Sequence, residues 1–542
     1  MDARQLSRYL IPLLLLALFT FEKASLNPNS RNERMGDGVY YFQIAQHVAD
    51  GDGLRTSVSV RGQGLRDMPS IATVQPLWPL VLGYAGRVLG MDRAAHLLPE
   101  AFYFGSLLFL YLLANQLGSA FGSRDLIRFR GITVLDLGTL VAAIFGGNAV
   151  FSAYTSKAYT EGLAFCLLFA TLLALPTATS RRVLARAAAS GLLAGLVYLT
   201  RSQFILIPLA VAAALALVRI REPRLRGAWL ASLTASAGVV IPWIIFLTRS
   251  LPTFPARVLI DFAAHRENEA LLPRVFTVEY DGLLDRMIDF AGSFVQAFHP
   301  TSKQAYIESF GPTAYAIPLA LVVAGWRLWS RRREWTVARA PGFDALLALA
   351  TLLAALSALA PVHVAHMEVG LEWLFGWRHG LPLILAILLA LASLCRHRTW
   401  VRIAVILVAA VGTLNRPLPP GYYTRSGERM VTEGEHALID WIDQHPRPPV
   451  VSSAMGRWLA ASSRAVTHVP PCDSATLKNH LSALTLDYVV IHPMGRWLCP
   501  ALRDVSRNEL EQVRSFGRAP RLITVWRPAN APAEEGTEIQ DD

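Results

Sequence analysis

A few ionisable residues stand out in a very apolar chain. Asp37 lies in the run Gly36-Asp37-Gly38-Val39-Tyr40-Tyr41. Lys157 and Glu161 lie in Ser156-Lys157-Ala158-Tyr159-Thr160-Glu161, and Arg201 follows Leu199-Thr200. His363 and His366 precede Trp377-Arg378-His379. A carboxylate can serve as general base toward a hydroxyl or an amine. Arginine and lysine can hold a phosphate leaving group and stabilise the charge that develops on it, and arginine does so with a planar fork of donors. These residue types suit transfer of a group from a phosphate to an acceptor. The sequence has no P-loop, no GxGxxG after a strand, no HExxH and no CxxC pair, so no nucleotide-driven machine is expected.

The elements that carry these residues follow a membrane pattern. Hydrophobic residues make up 53% of the 542 and charged residues only 17%, against about 25% charge in a soluble chain. The net charge of +11 comes from arginine-rich clusters between apolar runs. That is the pattern of inner loops in a membrane protein, not of a nucleic-acid groove. Apolar runs predict about eleven spans, several shorter than the usual ~20 residues. They cover 9–21, 98–117, 134–151, 160–175, 187–200, 203–218, 228–248, 312–329, 343–361, 380–394 and 400–414. The first run, preceded by Arg4 and Arg8, also fits a signal peptide. Both readings put the next segment outside.

Every second loop is basic. Arg124, Arg128 and Arg130 fall in one, Arg181, Arg182 and Arg186 in the next, and Arg219, Arg221, Arg224 and Arg226 in a third. Arg327, Arg331, Arg332, Arg333 and Arg339, then Arg396, Arg398 and Arg402, continue the series. The rule that positive loops stay inside predicts a multi-pass plasma (inner) membrane protein with a cytoplasmic N-terminus and an extracytoplasmic C-terminus. Asp37, Lys157, Glu161, Arg201, Arg378 and His379 then share one outer surface.

Three outer regions are long: 22–97, 249–311 and everything after 415. The first holds two expected interfacial helices, 39–49 and 77–89, with Tyr40, Tyr41, Trp78 and Tyr84 as aromatic anchors. A span at 77–89 would instead turn every later arginine cluster outward. Residues 416–528 predict a small α/β domain, with a helix at 435–444 and strands at 450–453, 487–492 and 522–526. The acidic tail 529–542 has the composition of a disordered segment. Outside the cytoplasm Cys472 and Cys499 are permitted a disulfide; two free thiols fit the sequence equally well. Residues 1–415 are expected to form the transmembrane catalytic domain.

These motifs resemble the GT-C glycosyltransferases, closest to the protein-mannosyltransferase and lipid A aminoarabinose transferase branch. Asp37-Gly38-Val39-Tyr40-Tyr41, with Gly51-Asp52-Gly53 after it, looks like the first outer loop of that family. Gln75-Pro76-Leu77-Trp78-Pro79-Leu80 is similar to its Pro-Pro-Leu-Tyr helix, with Gln75 in place of the first proline. The turn ending in Glu161, the stretch 191–201 ending Leu199-Thr200-Arg201, and Trp377-Arg378-His379 resemble further motifs, with His379 where the family has tyrosine. The resemblance covers roughly residues 1–400. It implies a polytopic α-helical fold and a polyprenyl-phosphate-sugar donor. It also implies inverting transfer of the sugar to a lipid, glycan or protein acceptor on the outer face, in cell-envelope glycan biosynthesis. Asp37 would be the base, and Glu161 would position the acceptor or a cation. Arg201, Arg378 and Lys157 would bind the donor phosphate, with Tyr40, Tyr41 and His379 against substrate. Some relatives use a divalent metal, for which Asp37 and Glu161 would offer hard oxygen ligands. No other cofactor is expected.

Simpler readings stand beside each of these. Asp37 fits a helix N-cap. Glu161 fits a favourable charge at a helix N-terminus. Arg201 and Lys157 fit snorkelling anchors. His363 and His366 fit a solvated loop, and Asp50, Asp52 and Asp67 fit turns. A transporter or flippase of a lipid-linked sugar is the alternative function. It predicts inverted repeats and mid-membrane charge, and the sequence has neither. A non-catalytic scaffold on the same fold is a third.

Overall fold

The computed structural model describes residues 14, 17–18, 37–60, 70–72, 74–129, 132–146, 151, 155, 159–250, 342–365, 383–395, 433–453, 456–469, 486–492, 510–518 and 522–528. The expected spans at 312–329 and 400–414, the outer region 249–311 beyond Ser250, the acidic tail and both Cys472 and Cys499 lie outside these residues. Contacts divide the chain into two units. One comprises Met1–Asn27, Val74–Trp78 and Leu97–Gly427, the other Pro28–Thr73, Pro79–His96 and Glu428–Asp542.

The first unit is helical. Among the described residues three helices are long and apolar enough to cross a membrane: Met91–Phe121, Val183–Thr200 and Pro223–Ser250. Shorter apolar helices include Leu137–Gly146, Glu161–Leu173 and Ile207–Val218. Gly342–Ala365 and Leu383–Leu394 match the expected runs at 343–361 and 380–394. The buried faces meet in one core that includes Leu107, Phe165, Leu168, Phe204, Val211 and Leu346. On Ala228–Ser250, Leu230, Ile241, Ile244 and Ile245 are exposed, a band suited to lipid.

Small residues set the closest helix pair. A Cβ on Gly191 would lie 1.9 Å from the Ser232 carbonyl oxygen, and one on Gly195 would lie 2.5 Å from Val239 Cγ2. The Gly-x-x-x-Gly face of 183–200 thus lies directly on the backbone of 228–250. This is the packing that works where lipid offers no hydrophobic drive between helices. Two arginines, Arg186 in the helix 183–200 and Arg224 in a 3-10 turn, hold the turn that follows the helix 161–173. Arg186 donates to the carbonyl oxygens of Leu175 (3.0 Å) and Leu173 (2.7 Å), and Arg224 to those of Ala178 and Ser180. Arg186 thus sits on carbonyls at the C-terminal end of the helix 161–173, where the macrodipole favours positive charge, and Arg224 ties down the turn beyond it.

In the run expected as a span at 134–151 the helix begins at Leu137, three residues later: Ile132–Asp136 pairs with Asp125–Phe129 in an antiparallel hairpin, and the helix Leu137–Gly146 follows. Asp136 is the reason. Its Oδ1 accepts the Thr139 N–H at 2.7 Å, as an N-cap does. Its Oδ2 accepts from Tyr111 (3.2 Å) and Asn115 (3.0 Å). A carboxylate satisfied in this way begins a helix and does not sit within one.

The second unit is built on a six-stranded sheet. In chain order its strands are β1 (Val58–Val60), β2 (Val450–Ser452), β3 (Val466–Val469), β4 (Tyr488–Ile491), β5 (Leu510–Phe516) and β6 (Ile523–Pro528). Across the sheet they run β1-β3-β2-β4-β6-β5; the first four are parallel, and β6 is antiparallel to both its neighbours, β4 and β5. The expected helix at 435–444 is Glu433–Asp443, and the three expected strands are β2, β4 and β6. His492 after β4 meets Glu435 at 2.6 Å, with both side chains buried. Within this unit β1, which falls in the expected first outer region 22–97, pairs with β3 along Val58↔Thr467, Ser59↔His468 and Val60↔Val469.

Candidate functional site

In the helical unit, two helix ends bring Glu161 and Arg201 together. The helix 161–173 begins at Glu161 after Thr160. The helix 183–200 stops at Arg201, whose backbone is extended (φ −152°, ψ 132°) and leads into a single 3-10 turn, Ser202–Phe204. The change of backbone at Arg201 turns its side chain out of the helical repeat. Arg201 Nη1 donates to Glu161 Oε1 in a close ion pair and to Thr160 Oγ1 at 3.2 Å. Thr160 Oγ1 in turn donates to Glu161 Oε2 at 3.3 Å. The Glu161 side chain is 2% exposed and that of Arg201 is 12% exposed.

The surroundings are apolar and closely built. Phe165 packs against Phe151 at 5.9 Å and Phe204 at 6.1 Å between ring centroids. Gly162 lets the start of its helix approach the neighbouring backbone, since a Cβ there would lie 2.5 Å from the Thr155 carbonyl oxygen. Ser106 Oγ donates to the Gly162 carbonyl at 3.1 Å. Gln203 Nε2 donates to the Ala358 carbonyl at 3.2 Å, tying the turn after Arg201 to the helix 342–365. In such surroundings a charge survives only when paired and hydrogen-bonded. The result is a fixed guanidinium at a helix end, held by a carboxylate and a hydroxyl.

Asp37 is the first residue of the helix Asp37–Asp50, in the second unit. Tyr40 and Tyr41 are on the same helix, half-buried, with ring centroids 6.3 Å apart. Lys157, His366, Arg378 and His379 lie outside the described residues, and His363 is described only as part of the helix 342–365. For a metal, no group of three or more His, Cys, Asp or Glu is found among the described residues. Both Glu161 oxygens already accept from protein donors, which fits a metal ligand poorly. Thr160 and Gln203 are polar partners of the site that sequence reasoning passed over. Their places in the sequence, Thr160 next to Glu161 and Gln203 two residues after Arg201, were the available signal.

No protein-family model and no curated protein matches the chain. Solved structures do. ArnT from Cupriavidus metallidurans bound to undecaprenyl phosphate is similar at 14% identity over 97% of this chain and 99% of that one, with a TM-score of 0.44. The archaeal oligosaccharyltransferase AglB from Archaeoglobus fulgidus, in complex with an inhibitory peptide and a dolichol-phosphate, is similar at 13% identity over 96% of this chain and 74% of that one, with a TM-score of 0.42.

Proposed function

We propose that the chain is a membrane glycosyltransferase of the GT-C type. It moves a sugar from a polyprenyl phosphate to a lipid, glycan or protein acceptor on the outer face of the plasma membrane. The observation that carries this reading is the buried Glu161–Thr160–Arg201 cluster in an apolar helical unit. Ionisable residues in membrane helices are costly and mark function by default.

Arg201 holds the donor phosphate and stabilises the charge it gains as the sugar departs. Arg378 and Lys157 add further cations, and His379 stands with them. Glu161 is a positioning residue: it fixes the cation and neutralises it while no donor is bound. Asp37 takes the proton from the acceptor nucleophile, which attacks the anomeric carbon opposite the phosphate and inverts it. Tyr40 and Tyr41, one turn along the same helix, line the substrate. The arginine-bearing loops lie inside, so the N-terminus is cytoplasmic and the C-terminal region extracytoplasmic.

The test is Asp37→Asn, assayed for sugar transfer in membranes carrying the chain at wild-type level. Loss of about 10²-fold or more in rate is the expected size for a missing general base. Full activity in that variant contradicts the assignment of Asp37.

A further inference from the structure

The helix that begins at Asp37 is α1 (Asp37–Asp50). Side chains on its inner face fasten it to Thr56 and Ser57, which lead into β1. Gln43 is 2% exposed, and its Oε1 accepts from Thr56 Oγ1 at 3.0 Å. Thr56 Oγ1 in turn accepts the Val58 N–H at 3.1 Å. His47, one turn on, bridges two groups: Nδ1 lies 3.1 Å from Asp52 Oδ2, and Nε2 lies 2.9 Å from Ser57 Oγ. From the other side Arg87 donates to the carbonyl oxygens of Ala49 (2.8 Å) and Val48 (2.6 Å), which end α1. Gly83 lies so close to α1 that a Cβ on it would meet Val48 Cβ at 2.6 Å.

The segment so fastened leads directly into the C-terminal sheet. Thr467 N–H donates to the Ser57 carbonyl at 2.9 Å, and β1 continues in parallel with β3. The helix α1 also packs against Gly456–Ser462, which lies between β2 and β3. Residues more than 400 positions apart thus fold as one body. The Asp-His-Ser order at His47 matches that of nucleophilic hydrolases. Two features set it apart. The Asp52 side chain is 53% exposed, and the Val58 N–H beside Ser57 is already engaged by Thr56. The arrangement works as a clamp.

We propose that the C-terminal α/β region is the scaffold that positions Asp37, acting through β1–β3 pairing and a His47–Ser57 and Gln43–Thr56 clamp on α1. His47 and Gln43 are positioning residues. The kinetic consequence rests on the reading of Asp37 as the base; the structural one does not.

Two variants of the full-length chain in lipid nanodiscs test this by hydrogen exchange without substrate. Thr467→Pro removes the N–H aimed at Ser57 and leaves the Val466 N–H, which donates to Pro449. His47→Ala opens the clamp and leaves every sheet residue unchanged. Amides of 39–60 should exchange about tenfold faster or more in both, while 161–200 keep wild-type protection. Wild-type protection of 39–60 in both variants overturns the proposal.

The second readout is kinetic. His47→Ala should lower kcat about tenfold, with KM for the lipid-linked donor within about twofold, since misplacement of a reacting group acts on kcat. His47→Gln, whose amide reaches the Ser57 side, should restore most of it. An unchanged kcat in His47→Ala, or equal loss in both variants, overturns the positioning role. If the wild-type chain transfers no sugar, the glycosyltransferase reading fails, and hydrogen exchange still decides the clamp.

Discussion

At the residue scale, Arg201 and Glu161 must be read as a unit. Removing one partner of a buried pair leaves the other charge uncompensated, at a cost of about 3–5 kcal/mol. Glu161→Ala should therefore destabilise the helical unit more than Glu161→Gln, which keeps a carbonyl oxygen for Arg201. Arg201→Lys keeps the charge but loses the planar fork. Sugar transfer should fall sharply in Arg201→Lys even where thermal melting in detergent is close to wild type. Activity equal to wild type in that variant would remove Arg201 from the phosphate site. Thr160→Val tests the relay: it removes the hydroxyl between Arg201 and Glu161 with little change in volume. The loss of hydrogen bonds to charged groups should show as a drop in stability of about 1.5–3 kcal/mol.

At the scale of elements, the pair 183–200 and 228–250 carries the sharpest prediction. Gly191 has no room for a methyl group against Ser232. Gly191→Ala should cost about 1–3 kcal/mol through overpacking, read as a lowered unfolding temperature; Gly238→Ala, where a Cβ meets open space, is the control. Equal unfolding temperatures would contradict the packing. The helices were largely legible in the sequence, because an apolar run between charged turns leaves the backbone few options in lipid. The start of the run at 134–151 was not. Asp136 reads as a charge near a span end, and only its bonds to Tyr111, Asn115 and the Thr139 N–H show it as a cap. The strand Val58–Val60 was also hidden: three residues carry no usable period, and the partner strand is about four hundred residues away. Glu161 and Arg201 could each be named from the sequence. Their pairing across 40 residues depends on two helices ending at the same level, which no local pattern records.

At the scale of the whole molecule, the sheet-based unit carries Asp37 and the apolar helical unit carries Arg201. In the proposed orientation the arginine clusters lie inside. Single cysteines in the loops that hold Arg124, Arg181 and Arg331 should be shielded from a membrane-impermeant thiol reagent in intact cells. Cysteines near residues 60 and 470 should react. The reverse labelling pattern would put the proposed site on the wrong side of the membrane. The most direct measurement incubates the purified chain with a panel of polyprenyl-phosphate sugars, with and without a membrane glycan extract as acceptor. Release of free polyprenyl phosphate is then measured beside Asp37→Asn and Arg201→Ala. The account predicts acceptor-dependent release from one donor class by the wild-type chain and its loss in both variants. A chain that moves the intact lipid-linked sugar across the bilayer and releases no polyprenyl phosphate would contradict it.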